Sequence, residues 1–124
     1  MPHITVDHSE SLTGSFDRPG FARALHPLVA EIARTSAAGC KTRFRSVDET
    51  FVADGAPGHT VIHVDIALRP GRTEAVKAEL TEAVLALLLK HVAPTPGVTV
   101  HASVDLRELD EAYARHIVEQ GALG

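Results

Sequence analysis

Apolar and polar residues alternate along four segments of the chain, and such alternation predicts strands with one buried face. The four segments are residues 3–8, 40–47, 60–68 and 98–106. The third is the most regular, with apolar residues from Ile62 to Leu68 on alternate positions. Residues 51–53 are a candidate for a further short strand, followed by a turn at 54–58 that is rich in glycine and proline.

Apolar residues recur at helical spacing in two segments between these strands. In the first they are Phe21, Leu25, Leu28 and Ile32. Pro27 lies within this pattern, so it must kink the helix or lie in the first turn of its main part. The second segment, residues 73–92, predicts the clearest helix. We also predict a short helix from Leu109 to about Gln120, ended by Gly121.

The order strand, helix, strand occurs twice, which predicts two right-handed βαβ units with parallel strands inside each unit. The expected fold class is α+β, with a four-stranded mixed sheet and both helices on one face. We expect a single domain over residues 1–124, because the length matches one typical domain. Its similar halves would be about 2–57 and 58–108, and residues 109–124 would form a C-terminal extension.

The other face of this sheet is predicted to be polar. It would carry His3, Thr5, Asp7, His63, Asp65, His101, Ser103 and Asp105. A solvated face and a subunit interface both fit this pattern. We favour the interface, because two βαβ units alone leave sheet edges that something must cover.

Composition excludes several classes of function. The net charge is −4, and the chain has one Tyr and no Trp, so we expect no nucleic-acid partner. No uncharged apolar run approaches the roughly 18 residues of a membrane span. No signal peptide is recognisable, and the one cysteine, Cys40, fits a reducing compartment. A cytoplasmic location is therefore expected.

Pro2 is the first candidate for chemistry. Removal of the initiator Met1 would leave the Pro2 nitrogen as a free secondary amine. An α-amino group has a pKa near 8, and burial or nearby cations lower it toward neutrality. General base catalysis is most efficient when the pKa of the base is close to the working pH. Proline at position 2 is also common in proteins without any catalytic role.

Cations supply the second group of candidates. Lys41, Arg43 and Arg45 alternate along a predicted strand, so they share one face. They fit an anion site, most plausibly for carboxylates, or a solvated edge protected from aggregation. Arg72 lies beside Gly71 at a strand-to-helix turn, where free N–H groups and the guanidinium fork suit a carboxylate. An exposed arginine at an ordinary helix start is the other interpretation.

No cofactor or metal site is expected. His59 and His63 lie four apart on a strand, which separates them too far for a shared metal ion, and Cys40 has no partner cysteine. The nucleophile elbow, the phosphate-binding loop and the dinucleotide fingerprint do not occur in the sequence.

Several segments together resemble a known family. They are Met1-Pro2-His3-Ile4-Thr5-Val6, Gly39-Cys40-Lys41-Thr42-Arg43, Val47-Asp48, Ala53-Asp54-Gly55, His63-Val64 and Gly71-Arg72-Thr73. In order and spacing they resemble the 5-carboxymethyl-2-hydroxymuconate isomerase family of the tautomerase superfamily. The similarity runs from Pro2 to about Leu109.

The resemblance implies a double βαβ fold, a homotrimer, and catalysis without a cofactor by an amino-terminal proline, here Pro2. It places the charged substrate-binding positions on Lys41 and Arg72, with Arg43 as a neighbouring candidate. The family pattern has arginine where this chain has Lys41, and lysine lacks the bidentate geometry of arginine.

The resulting hypothesis is proton transfer in an unsaturated 2-hydroxy dicarboxylate, with Pro2 as the base and Lys41 and Arg72 on the carboxylates. Two alternatives remain open at this point. One is another activity of the superfamily, on a monocarboxylate enol. The other is a non-catalytic trimer that binds a small acid or a protein.

Overall fold

The computed structural model describes residues 1–121 and contains a four-stranded sheet with two long helices. In chain order the elements are β1 (His3–Ser9), α1 (Arg18–Ala33), β2 (Lys41–Val47), β3 (His59–Leu68), α2 (Glu74–Leu89) and β4 (Thr99–Glu108). The strand order is β2-β1-β3-β4. β1 is parallel to β2, β3 is parallel to β4, and the central pair β1 and β3 is antiparallel. The predicted pair of βαβ units and the mixed sheet are confirmed.

The hydrophobic core lies between the sheet and the two helices. Each element contributes every second or every third to fourth residue, as the alternation and the helical spacing require. The residues of this packed cluster with no exposed surface are Ile4, Val6, Phe21, Leu25, Val29, Ile62, Val64, Ile66, Leu80, Val84 and Leu88. Both helices therefore cover one face of the sheet.

Side-chain caps determine where both helices begin. α1 begins at Arg18, where the Asp17 side chain accepts a hydrogen bond from the Gly20 amide at 3.0 Å. Pro27 consequently lies inside the helix, which excludes the first turn, one of the two places considered for it. Thr73 is the cap of α2, accepting from the Val76 amide at 3.2 Å.

The helix predicted for residues 109–120 is wrong. The described residues after β4 contain only a turn at 111–112, in which the Tyr113 amide donates to the Asp110 carbonyl. Ile117 and Val118, which would have formed its apolar side, are 61% and 84% exposed. A short helix needs a packed apolar face to be stable in water. Residues 51–53 likewise form no strand.

The sheet face opposite the helices, called the open face below, is polar and internally paired. Arg45 bonds Asp7 through two hydrogen bonds of 2.6 and 3.0 Å. The other pairs are Arg107 with Asp65 at 3.0 Å, His63 with Ser103 at 2.6 Å and His59 with His101 at 3.0 Å. The predicted polar composition of this face is confirmed. Among the described residues, no helix is long and apolar enough to cross a membrane.

Candidate active site

The amino terminus lies where the two parallel strands of the first unit begin. Pro2 is buried, and its carbonyl accepts a hydrogen bond from the Lys41 amide at 3.1 Å. The Met1 side chain packs over Gly39, so closely that a Cβ at that glycine would lie 2.5 Å from the Met1 methyl carbon. Met1 and Pro2 are thus held against the start of β2 by their contacts with Gly39 and Lys41.

Cations surround this terminus. Burial lowers the pKa of the Met1 amine below its ordinary value, and the positive charges of Arg69, Arg72, Arg115 and Lys41 lower it further. We call the amine and these four side chains the amino-terminal cluster. An amine in such surroundings is more easily held neutral, which is the form that can accept a proton. The cluster also offers positive charge to an anionic ligand.

The structure brings the predicted residues Lys41 and Arg72 together in this cluster. Lys41 donates through Nζ to the Gly39 carbonyl at 3.0 Å. Arg72 donates through Nε to the carbonyl of Ala33 at 3.1 Å and through Nη1 to that of Arg69 at 2.9 Å. Neither of these two bonds uses Nη2. The guanidinium is therefore fixed in place and still has N–H groups for a carboxylate.

A cleft of about 440 Å³ opens beside Arg72, between the end of α1 and the start of α2. Its lining includes Ile32, Ala33, Pro70 and Val76. Gly71 has a φ of +126° there, a conformation that residues with a Cβ rarely adopt. The turn that presents Arg72 therefore depends on this glycine.

Arg43 does not join the amino-terminal cluster directly. Its Nη1 lies 3.3 Å from Nδ1 of His3, and Nε2 of the same ring lies 2.7 Å from the Tyr113 hydroxyl. Burial lowers the pKa of His3, followed by the positive charges of Arg43 and Lys41. Arg43 thus reaches the site through His3. Arg45, the third cation of the strand, is bonded to Asp7.

Three residues near the terminus were not predicted from the sequence. Arg69 follows the last residue of β3, and its guanidinium carbon lies 5.2 Å from the centre of the Tyr113 ring. Arg115 belongs to the segment that was predicted as a helix. Tyr113 is the only tyrosine of the chain. An aromatic residue in a mostly polar segment was the one feature of the sequence that could have indicated a contact with the rest of the protein.

The histidines do not gather around a metal position. Within residues 1–121, no three His, Cys, Asp or Glu side chains are arranged to hold an ion. His26 is bonded to Thr42 at 2.8 Å, and His91 is bonded to the Leu87 carbonyl at 2.9 Å. These two histidines serve helix and sheet packing.

Comparison with known proteins decides the family. The family model described as 5-carboxymethyl-2-hydroxymuconate isomerase matches residues 2–119. The chain belongs to the 5-carboxymethyl-2-hydroxymuconate isomerase family. A relative in Escherichia coli, 5-carboxymethyl-2-hydroxymuconate Delta-isomerase, is 27% identical over 93 residues, which are 75% of this chain and 74% of the relative. The protein is accordingly an isomerase, and the non-catalytic alternative is not supported.

Solved structures show the same fold. A 5-carboxymethyl-2-hydroxymuconate isomerase from Deinococcus radiodurans R1 superposes with a TM-score of 0.81 at 23% identity, covering 95% of this chain and 90% of that one. A fused 4-OT protein, solved as a symmetric trimer, superposes with a TM-score of 0.73 at 17% identity, covering 98% and 96%. The tautomerase-like α+β fold expected for the family is confirmed.

Proposed function

We propose that this isomerase moves a proton within an unsaturated 2-hydroxy dicarboxylate, with the amino-terminal nitrogen of Pro2 as general base after removal of Met1. The observation that carries the proposal is the amino-terminal cluster. Pro2 is buried next to the Met1 amine, whose pKa is lowered by four cations, and we expect these cations to act in the same way on the Pro2 amine once Met1 is removed. No cofactor is needed, because the same nitrogen accepts the proton and returns it.

The chemistry divides between the amine and the cations. Neutral Pro2 takes the proton of the 2-hydroxyl group or of a carbon acid, which leaves a dienolate. The protonated amine then gives a proton to another carbon, and the double bond shifts. Arg72 and Lys41 hold the carboxylates and stabilise the negative charge as it develops. Each proton that leaves the substrate is replaced, so the product is an isomer.

Charge supports a dicarboxylate over a monocarboxylate. Lys41, Arg69, Arg72 and Arg115 all act on the terminus, and one carboxylate would leave much of this positive charge unpaired. A further cation, Arg43, is in contact with the neighbouring residue His3. We therefore expect turnover to be much faster with a dicarboxylate enol than with a monocarboxylate enol of the same chain length.

We further propose that the protein is a cytoplasmic homotrimer of one domain spanning residues 1–124. The trimeric fused 4-OT relative supports this assembly. The open face supports it too, because the ion pairs of Arg45 with Asp7 and of Arg107 with Asp65 reduce the number of charges that would be left unpaired if this face were covered. Light scattering should give a mass of about 40 kDa for a 13.2 kDa chain. A monomeric mass at micromolar concentration would contradict the proposal.

The decisive experiment compares Pro2→Ala with the wild type in ketonisation of a 2-hydroxymuconate-type enol. Intact mass must first show that Met1 is absent from both proteins. Pro57→Ala is the matched control, because Pro57 is exposed in the loop after β2, at the far end of the parallel strands. We expect a loss of at least a hundredfold in kcat/KM for Pro2→Ala and none for Pro57→Ala. Equal rates in Pro2→Ala and the wild type would refute the role of the amine.

A further inference from the structure

The segment after β4 folds back onto the amino-terminal cluster. The Leu109 amide donates to the Leu68 carbonyl at 2.7 Å, and the turn at Asp110 redirects the chain. Tyr113 is thereby brought against Arg69, with the guanidinium carbon 5.2 Å from the ring centre. Residues 109–113, where a helix had been predicted, are therefore packed against the amino-terminal cluster.

The contact between His3 and Arg43 determines whether Tyr113 donates or accepts in its hydrogen bond with His3. Arg43 can only donate, so Nδ1 of His3, 3.3 Å from its Nη1, is an acceptor and carries no proton. Burial and the positive charge of Arg43 lower the pKa of His3, so the ring is neutral at neutral pH. The proton of a neutral ring then lies on Nε2, which donates to the Tyr113 oxygen at 2.7 Å.

This arrangement leaves the hydroxyl proton of Tyr113 without an acceptor within residues 1–121 of the same chain. The Tyr113 oxygen accepts from His3, and no acceptor for its O–H is found among the described residues. The side chain is only partly buried. A partly exposed donor with its oxygen held in place, beside Arg69 of the cluster, can reach an anionic ligand at low entropic cost.

We propose that Tyr113 is a substrate-binding residue, which donates its hydroxyl hydrogen to an anionic oxygen of the dicarboxylate. His3 and Arg43 are positioning residues that orient this hydroxyl through the chain Arg43, His3, Tyr113. The proposal rests on the proposed function for the identity of the substrate. It also explains how Arg43, outside the cluster, contributes to the same site.

Tyr113→Phe is the sharpest test, because it removes the hydroxyl and keeps the ring beside Arg69. We expect kcat/KM to fall about tenfold to a hundredfold, the range for losing one hydrogen bond to a charged group. Urea unfolding should show only the small loss expected when the single hydrogen bond from His3 is removed. Wild-type kcat/KM in Tyr113→Phe, together with an inactive Pro2→Ala, would overturn this inference and leave the proposed function intact.

The positioning role is tested at His3. His3→Gln can still donate to the Tyr113 oxygen, whereas His3→Leu cannot, so kcat/KM should fall in His3→Leu and largely recover in His3→Gln. Nitrogen NMR of His3 should show an unprotonated Nδ1 and a protonated Nε2 in the wild type at neutral pH. The opposite tautomer, or equal loss in both variants, would overturn the orientation argument.

A binding measurement separates this inference from the failure of the catalytic proposal. Calorimetry with muconate, an unreactive unsaturated dicarboxylate, should give at least tenfold weaker binding to Tyr113→Phe than to the wild type. This comparison holds even if Pro2→Ala proves fully active. Equal muconate affinity for the two proteins would contradict a contact between Tyr113 and the ligand.

Discussion

Arg72 should contribute to stability as well as to substrate binding, and the two effects can be measured separately. Its guanidinium donates to the Ala33 carbonyl at the end of α1 and to the Arg69 carbonyl. The last carbonyls of a helix have no hydrogen-bond donor within the helix, so Arg72 supplies the donor that the Ala33 carbonyl would otherwise lack. Each bond contributes about 0.5–1.5 kcal/mol net. Arg72→Ala should therefore lower the free energy of unfolding by about 1–3 kcal/mol.

Urea unfolding followed by circular dichroism measures this loss. Arg23→Ala is the matched control: Arg23 is exposed on α1 and makes no side-chain hydrogen bond or ion pair among the described residues. It removes the same charge and should cost less than about 0.5 kcal/mol. Equal stability of Arg72→Ala and the wild type would refute the reasoning that Arg72 holds the end of α1.

The same substitution should change the kinetics in a characteristic way. Without Arg72, KM should rise and kcat should fall, because a carboxylate contact and stabilisation of the dienolate are lost. The positive charge of Arg72 lowers the pKa of the Met1 amine. We expect it to act in the same way on the Pro2 amine once Met1 is removed, so Arg72→Ala should raise the pKa of that amine. The acidic limb of the kcat/KM profile should then move to higher pH. An unmoved limb would show that Arg72 does not act on the base.

Three further predictions concern stability and reactivity. Leu80 has no exposed surface, so Leu80→Ala should cost about 2–5 kcal/mol in urea unfolding; a loss below 1 kcal/mol would contradict its place in the core. Burial raises the pKa of the Cys40 thiol, so a thiol reagent at neutral pH should react slowly until urea is added, and fast reaction of the folded protein would be inconsistent with this. The hydrogen bond from Arg45 lowers the pKa of Asp7. Its stabilisation is complete above the ordinary value of 3.8 and is lost as pH falls through the folded value. Because Arg45 is 65% exposed, Asp7→Asn should remove a small but measurable part of this acid dependence, and an unchanged dependence would argue against the pair.

Alternation was a sufficient guide to the sheet because each strand has one face on the core. Ile4 and Ile66, opposite each other across β1 and β3, are both fully buried, and a shift by one residue would have exposed them. The two long helices were equally predictable from their spacing. Their exact starts depended on the side-chain caps Asp17 and Thr73, which lie outside the apolar pattern.

Of the candidate site, only the residues that lie in recognisable local sequence motifs were predicted. Lys41 and Arg72 lie in recognisable local motifs, and the structure brings both to the amino terminus. Tyr113 and Arg115 reach it because the chain turns back after β4, and Arg69 is there because it directly follows β3. The apolar residues Ile117 and Val118 favoured a helix there, and no local pattern reveals that they have no surface to pack against.

The contact between Met1 and Gly39 would limit the time at which the proposed removal of Met1 could take place. In the folded chain Met1 packs on this glycine, Pro2 is buried, and the Pro2 carbonyl is bonded to Lys41, so a peptidase would find the bond between the first two residues poorly accessible. Lys41 is synthesised some forty residues after Pro2, which at about 5–20 residues per second takes about 2–8 seconds. Cleavage is easiest in that interval, while the nascent chain is still extended. Protein made faster than its methionine can be removed would fold with the nitrogen of Pro2, the proposed base, still bound in an amide.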